Sequence, residues 1–249
     1  MSLMLLLSAM IIGLSLGLLG AGGSILTVPA LTLILGMNEK SAVTSSLIIV
    51  GLIALVGAVK AYQTGELDKR LIFSFGVVSL PFAAMGARIG VWMPAGGQTL
   101  LLVAVMLAVS VKMLARTASF SATKVSTHSL LMSAAAVGLL TGIVGVGGGF
   151  LIVPALIVFA GVNMAKAIAN SLALIVINGI TAFLAIKLSH SSPALDWLVI
   201  LTMAGVGAIA VLAGQNLASR LPQQVLKSGF ALILMGLSVW LIIEQFIMR

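Results

Sequence analysis

The residues best suited to chemistry lie in two glycine-rich segments of nearly identical sequence. GAGGSILTVPAL runs from Gly20 to Leu31, and GVGGGFLIVPAL runs from Gly145 to Leu156. A helix that begins inside such a segment, near Ser24 or Gly149, leaves its first N–H groups without helical acceptors and turns the positive end of its dipole towards the break. Glycine also lets a ligand approach the backbone closely. Each segment therefore predicts an anion-binding helix start that needs no buried cation.

The glycines divide into two groups by position. Gly13, Gly17 and Gly20 fall on one helical face, as do their copies 125 residues later, and this spacing favours close packing between helices. The glycines at the break itself are expected to approach a ligand instead, with close packing as their alternative role. They are Gly22, Gly23, Gly147 and Gly148.

A second layer of candidate ligands follows each glycine segment. Ser45 and Ser46 align with Asn170 and Ser171, and Asn178 lies seven residues past Ser171 on the same helical face. Such polar groups face a cavity or the bundle interior, where they donate hydrogen bonds either to an anion or to a neighbouring helix. Both roles stay open. The predicted substrate-binding residues are Gly22, Gly23, Ser24, Ser45, Ser46, Gly147, Gly148, Gly149, Asn170, Ser171 and Asn178.

Few charges are placed to attract an anion into the membrane. Arg88 is the most deeply placed basic residue, and we expect it to attract anions at a cavity mouth, assisted in the other half by Gln215 and Asn216. Snorkelling of Arg88 to the interface is the alternative. Lys60 lies at a segment end and is interpreted as an interfacial anchor.

The acidic residues exclude several classes of function. Glu39, Glu66, Asp68, Asp196 and Glu244 all lie in or beside predicted loops, and the chain has no cysteine. The apolar segments thus offer no catalytic cluster, no metal site and no cofactor site, and we do not expect an enzyme. No carboxylate is placed to couple transport to a proton or to sodium. An anion leaving a negative interior needs no such coupling, because it gains about 2.3 kcal/mol per charge per 100 mV.

The elements that hold these residues are predicted to be membrane helices. Of 249 residues, 61% are hydrophobic and only 7% are charged, whereas roughly a quarter are charged in a soluble domain. The net charge is +8, but its basic residues are scattered singly, which argues against nucleic-acid binding. Two uncharged runs of 38 and 41 residues would be about 57 and 62 Å long as helices, twice the hydrocarbon thickness. They must break, and we place the breaks at the glycine segments.

An internal duplication organises the chain. From Gly13 to Leu31, eleven of nineteen positions are identical at an offset of 125, and the match continues at an offset of 128 beyond Pro193. We divide the chain into a first unit at 1–117, a linker at 118–126 and a second unit at 127–249. Each unit has five apolar segments, of which the second is short and is expected to kink at its proline, Pro29 or Pro154.

Because five is an odd number, the second unit would be inserted upside down. The predicted fold is an all-α polytopic membrane protein with two inverted repeats and short broken or re-entrant helices at the glycine motifs. Eight crossings with parallel repeats are the alternative, in which each long run is one broken span. The ten-segment arrangement places nine basic residues on one side and four on the other. The positive-inside rule makes the first side cytoplasmic and both termini extracytoplasmic.

These motifs resemble a known family. The pattern G-x-G-G-(G/S)-x-L-x-V-P in both halves, the G-x-L-D-x-R loop from Gly65 to Arg70 and the triplet Gly86-Ala87-Arg88 are similar to the TauE/SafE sulfite-exporter family over nearly the whole chain. The resemblance implies a multi-pass inner-membrane protein that exports sulfite, sulfoacetate or related sulfur-containing anions. Its expected partners are such an anion and the lipid bilayer, and the oligomeric state stays open, with a homodimer among the choices. An anion channel and an ion-coupled importer of another anion are the alternative functions.

Overall fold

The computed structural model describes residues 3–20, 22–92, 95–115, 127–144, 149–159, 161–188 and 195–247. Over these ranges the chain forms ten helices and no strand, which confirms the all-α prediction. The first half contains α1 (Leu3–Leu19), α2 (Gly22–Leu35), α3 (Glu39–Gln63), α4 (Lys69–Trp92) and α5 (Ala95–Ala115). The second half contains α6 (Thr127–Val144), α7 (Gly149–Val158), α8 (Met164–Leu188), α9 (Trp197–Ala218) and α10 (Gln223–Ile247).

Helix length and hydropathy fit a membrane. Among the described residues, five helical stretches are long and apolar enough to cross a bilayer. They are Ser41–Gln63, Lys69–Gly86, Met164–Thr181, Trp197–Ala218 and Gln223–Ile243. Large apolar side chains also point outwards, and Ile209 is 75% exposed while Phe73 is 72% exposed. Because such exposure is costly in water, these faces suit contact with lipid.

The two short helices, α2 and α7, occupy the predicted positions and end alike. Gly36 and Gly161 follow them with φ of +61° and +62°, a left-handed conformation that only glycine adopts without strain. In each case the N–H of the next residue donates to the carbonyl oxygen six positions back, at 3.3 Å and 3.2 Å. Both short helices therefore end with the same backbone motif at equivalent places in the two halves.

The helices that follow also start alike. Asn38 caps α3 by accepting the Ser41 N–H at 2.8 Å, and Asn163 accepts the Lys166 N–H at 2.9 Å before α8. Two aspartates do the same one helix later, each accepting two N–H groups at 3.0 to 3.2 Å. They are Asp68, before α4, and Asp196, before α9. The sequence duplication thus reproduces the helix ends residue by residue.

Helices of the first half pack directly against helices of the second half. Helix α1 packs on α9 and α4 packs on α6, whereas α3 packs on α8 and α5 packs on α10. Because α1 is equivalent to α6 and α4 to α9, the pairs α1–α9 and α4–α6 are equivalent to each other. The pairs α3–α8 and α5–α10 each join two equivalent helices. Described helices of each half are therefore covered in part by helices of the other half. The assembly of both units into one transmembrane domain stays a prediction.

Glycines lie at the contacts of the two equivalent pairs, α1 with α9 and α4 with α6. A Cβ added to Gly13 of α1 would lie 2.7 Å from the Gly207 Cα of α9, and one added to Gly17 would lie 3.0 Å from the Gly214 Cα. In the other pair, a Cβ on Gly138 of α6 would lie 2.9 Å from the Ser79 Cα of α4. The backbones touch at these points, as the spacing of the small residues predicts.

The central helices α3 and α8 run antiparallel. A Cβ on Gly57 would lie 2.9 Å from Leu172, whereas one on Gly179 would lie 3.5 Å from the Leu47 carbonyl oxygen. Residue numbers therefore rise along α3 as they fall along α8. Equivalent helices oppose each other when repeats are inverted and run alike when repeats are parallel. The inverted insertion stays a prediction, and this packing supports it.

Candidate functional site

The glycine segment of the first half forms a sharp reversal. Gly20 ends α1 with φ of +72°, and its N–H donates to the Leu16 carbonyl oxygen at 2.8 Å. Three residues later Gly23 packs against α1, where an added Cβ would lie 2.7 Å from the carbonyl oxygen of Ile12. Ile12 precedes Gly23 by eleven residues, so α2 folds back along α1 instead of continuing it. The first turn of α2 points into this reversal with N–H groups that have no helical acceptors.

Helices of the second half contact this reversal at Gly20. The Ser171 hydroxyl of α8 is buried and donates to the Gly20 carbonyl oxygen at 2.8 Å, sharing its proton with the Ile168 carbonyl oxygen at the same distance. A Cβ on Gly20 would lie 3.0 Å from Val153, near the middle of α7. The predicted anion-binding helix start therefore lies at the interface between the halves. Its use by a substrate stays a prediction.

Asn170 is fully buried and connects the halves through the loop between α3 and α4. Its Oδ1 accepts the Asp68 N–H at 2.8 Å, and its Nδ2 donates to the carbonyl oxygens of Lys166 at 2.7 Å and Glu66 at 3.4 Å. These bonds match the alternative role given to the intramembrane amides, which is to hold the bundle together. Contact between Asn170 and a substrate stays a prediction.

The other polar candidates lie deeper between α3 and α8. Ser45 is fully buried, and its hydroxyl has no hydrogen-bond partner within the described ranges. The Ser46 hydroxyl donates to the Val43 carbonyl oxygen at 2.8 Å. Because Gly179 packs beside Leu47, the neighbouring residues Asn178 and Ser46 lie at the same level of the pair. The structure thus places the candidates in two layers along α8, at Ser171 and at Asn178.

Gln215 and Asn216 join α9 to α3. Asn216 does so through Lys60, a residue for which the sequence did not indicate this role. The Gln215 Nε2 donates to the Gly57 carbonyl oxygen at 2.9 Å. In return, the Lys60 Nζ donates to the Leu212 carbonyl oxygen at 3.3 Å and to the Oδ1 of Asn216. Lys60 is half-buried against α9, so it is more than an interfacial anchor. The pairing of α3 with α9 leaves no signal in the sequence that could have shown this.

A family model described as "Sulfite exporter TauE/SafE" matches residues 5–241. The chain belongs to the TauE/SafE family. Two curated relatives from Xylella fastidiosa bear the name "Probable membrane transporter protein" and cover 93% of this chain and 91% of their own length. The relative from strain 9a5c is 31% identical, and the one from strain Temecula1 is 30% identical. No solved structure matches the chain significantly.

Membership in the TauE/SafE family makes the chain a membrane transporter rather than an enzyme. The loop that carries part of the resemblance, from Gly65 to Arg70, is the one that Asn170 holds and in which Asp68 starts α4. The part of the chain that the structure describes contains no group of three or more acidic, histidine or cysteine side chains that could hold a metal ion.

The remaining candidates of this TauE/SafE chain are located by their backbone. Gly22 and Ser24 lie in the first turn of α2, buried Gly149 begins α7, and Arg88 lies in the last turns of α4. Pro29 and Pro154 lie inside α2 and α7, and their kinks stay predictions. Gly147 and Gly148 fall outside the described residues, as does the proposed linker at 118–126.

Proposed function

We propose that this transporter exports small sulfur-containing anions, such as sulfite and sulfoacetate, across the inner membrane through a site at the interface of two inverted repeats. The family description supplies the substrate class. The helix start of α2 follows Gly20, which α7 and α8 contact, and it supplies N–H groups suited to sulfonate or sulfite oxygens.

One observation carries the proposal. Of the side chains whose burial the structure describes, the buried polar ones are hydroxyls and a single amide, with no carboxylate among them. Glu66, Asp68 and Asp196 are exposed in loops or at helix starts. A buried interior whose described polar side chains carry no formal negative charge does not repel an anion. The same arrangement favours a path driven by the membrane potential over coupling through a carboxylate.

Potential-driven efflux is the direct test. In proteoliposomes loaded with labelled sulfoacetate, which carries a sulfonate and a carboxylate, an inside-negative potential should accelerate efflux. A dianion gains about 4.6 kcal/mol at 100 mV, which supports a gradient on the order of a thousandfold. The measurement is the initial efflux rate at imposed potassium-valinomycin potentials of about 0 and about −100 mV.

Protein-free liposomes under the same potentials are the control for leakage. Efflux that is the same at both potentials would contradict electrogenic export, and absence of flux with both sulfoacetate and sulfite would contradict the substrate class. Saturation of the rate with rising internal anion distinguishes the proposed carrier from an open channel.

The orientation has its own test. Thr64 is exposed between α3 and α4, and Ala95 begins α5 at the other end of α4. Because the chain has no native cysteine, Thr64→Cys and Ala95→Cys can each be labelled singly. With both termini outside, we expect an impermeant thiol reagent added to intact cells to label Ala95→Cys alone. Labelling of Thr64→Cys alone would reverse the proposed orientation.

A further inference from the structure

Lys60 carries a charge in an unusual setting. It lies in the last turn of α3, and its Nζ reaches sideways to Leu212 and Asn216, which are one turn apart on α9. Both acceptors are neutral oxygens. None of the three carboxylates whose side chains the structure describes, Glu66, Asp68 and Asp196, forms an ion pair with Lys60.

The helix ends explain how the bundle tolerates this charge. Helices α3 and α9 end at Gln63 and Ala218, so Lys60 sits within the last turns of both. Their carbonyl ends carry partial negative charge, which stabilises a cation. A purely structural role would end there, with Lys60 as a cross-link between two helix ends.

The surroundings of Lys60 connect it to the reversal between α1 and α2. Gln215 precedes Asn216 and bonds to Gly57, one turn before Lys60 on α3. A Cβ on Gly17 would lie 3.0 Å from the Gln215 backbone nitrogen, and Gly17 is three residues before Gly20. The lysine and the helix start of α2 thus lie at the same end of the bundle, joined by contacts among α1, α3 and α9.

We propose that Lys60, together with the side-chain amide of Asn216, forms the charge-selecting site at which an anion binds before it reaches the helix start of α2. This inference rests on the proposed anion transport. It adds Lys60 of α3 as a second cation of the pathway, beside the predicted Arg88 of α4.

The hydrogen-bonding capacity of the pair fits a carboxylate, sulfonate or sulfite oxygen. A lysine ammonium has three N–H donors, and the bonds to Leu212 and Asn216 occupy two of them. Asn216 is exposed and uses its oxygen for Lys60, which leaves its amide N–H groups as donors. An anion that accepts from both groups would neutralise the lysine at the bundle end, where charge-assisted hydrogen bonds are strong.

The test compares Lys60→Gln with Lys60→Arg in the sulfoacetate flux assay. Glutamine removes the charge but retains an amide donor for Asn216, whereas arginine retains both charge and donors. We expect Lys60→Gln to raise the apparent KM for sulfoacetate about tenfold or more, because a charged hydrogen bond is lost, and Lys60→Arg to stay within about twofold of the wild type. Raising the ionic strength with sodium gluconate should raise the KM of the wild type and leave that of Lys60→Gln nearly unchanged.

Lys112→Gln is the matched control, because Lys112 is an exposed lysine in the last turn of α5. Equal KM values and equal salt dependence for Lys60→Gln and Lys112→Gln would overturn the inference and leave Lys60 as a cross-link. A thermal-shift titration measures sulfoacetate binding independently of flux. Sulfoacetate should stabilise the wild type more than Lys60→Gln. A wild type that carries no anion contradicts the proposed function, and the titration then decides the inference by itself.

Discussion

Addition of one methyl group at Gly17 or Gly138 is expected to destabilise the bundle by about 3 kcal/mol or more. In each case the new Cβ would meet backbone, which cannot move aside as a side chain can. At Gly17 it would lie 3.0 Å from the Gly214 Cα and closer to the Val211 carbonyl oxygen. At Gly138 it would lie 2.9 Å from the Ser79 Cα and closer to the carbonyl oxygen of the same residue. The melting temperature of the purified Gly17→Ala and Gly138→Ala chains in one detergent measures the loss.

The control is the same substitution on α10. An added Cβ at Gly229 or Gly236 has no neighbour within 4 Å, so Gly229→Ala and Gly236→Ala should leave stability unchanged or raise it by up to about 1 kcal/mol through helix propensity. If the alanines at Gly17 and Gly138 melt at the same temperature as those on α10, the crossings of α1 with α9 and of α4 with α6 are looser than described. An effect at only one crossing would contradict the equivalence of the two halves.

Replacement of Asn170 by serine, the residue that the repeat alignment places opposite it, is expected to cost about 2 to 3 kcal/mol. Serine is too short to bond the loop, so the Asp68 N–H and the Glu66 carbonyl oxygen each lose a partner. The loop between α3 and α4 would then loosen from α8. We would measure the melting temperature together with the rate at which trypsin cleaves next to Lys69 and Arg70.

Asn178→Ser provides the comparison, since Asn178 lies on the same helix but is only half-buried. It should change the melting temperature and the trypsin cleavage much less. An Asn170→Ser chain that is as stable and as resistant to trypsin as the wild type would show that these bonds contribute nothing. If its KM for sulfoacetate also rises while the loop stays protected, the predicted substrate contact at Asn170 gains support.

Much of the fold is already readable in the residues. Uncharged runs of membrane length predict the helices, and glycine clusters in the middle of the two longest runs predict where those runs break. The duplicated pairs Gly36 with Gly161 and Asp68 with Asp196 are local signals, because a left-handed turn and a helix cap depend on the residue itself and its nearest neighbours along the chain. No turn or cap is predicted above at these positions, although local reasoning could have found them, and the structure shows both features in both halves.

The candidate site was only partly predictable. The helix start after Gly20 follows from local glycine chemistry, and the structure brings α7 and α8 of the other half into contact with Gly20 itself. The contacts of Ser171 with Gly20 and of Asn170 with the loop before α4 join residues more than 100 positions apart. Periodicity shows that such side chains face inwards, but it does not show which partner they meet.

The residues alone identify a duplicated set of membrane helices with few acidic residues in its apolar segments, because lipid compatibility and helix breaks are properties of short stretches of residues. The packing of the two halves against each other and the contact of Lys60 with α9 become visible only in the folded chain. Between two apolar helices the hydrophobic effect supplies no preference in lipid, so the choice of partner depends on where small residues let backbones touch and where polar groups find each other. Those matches exist only in three dimensions.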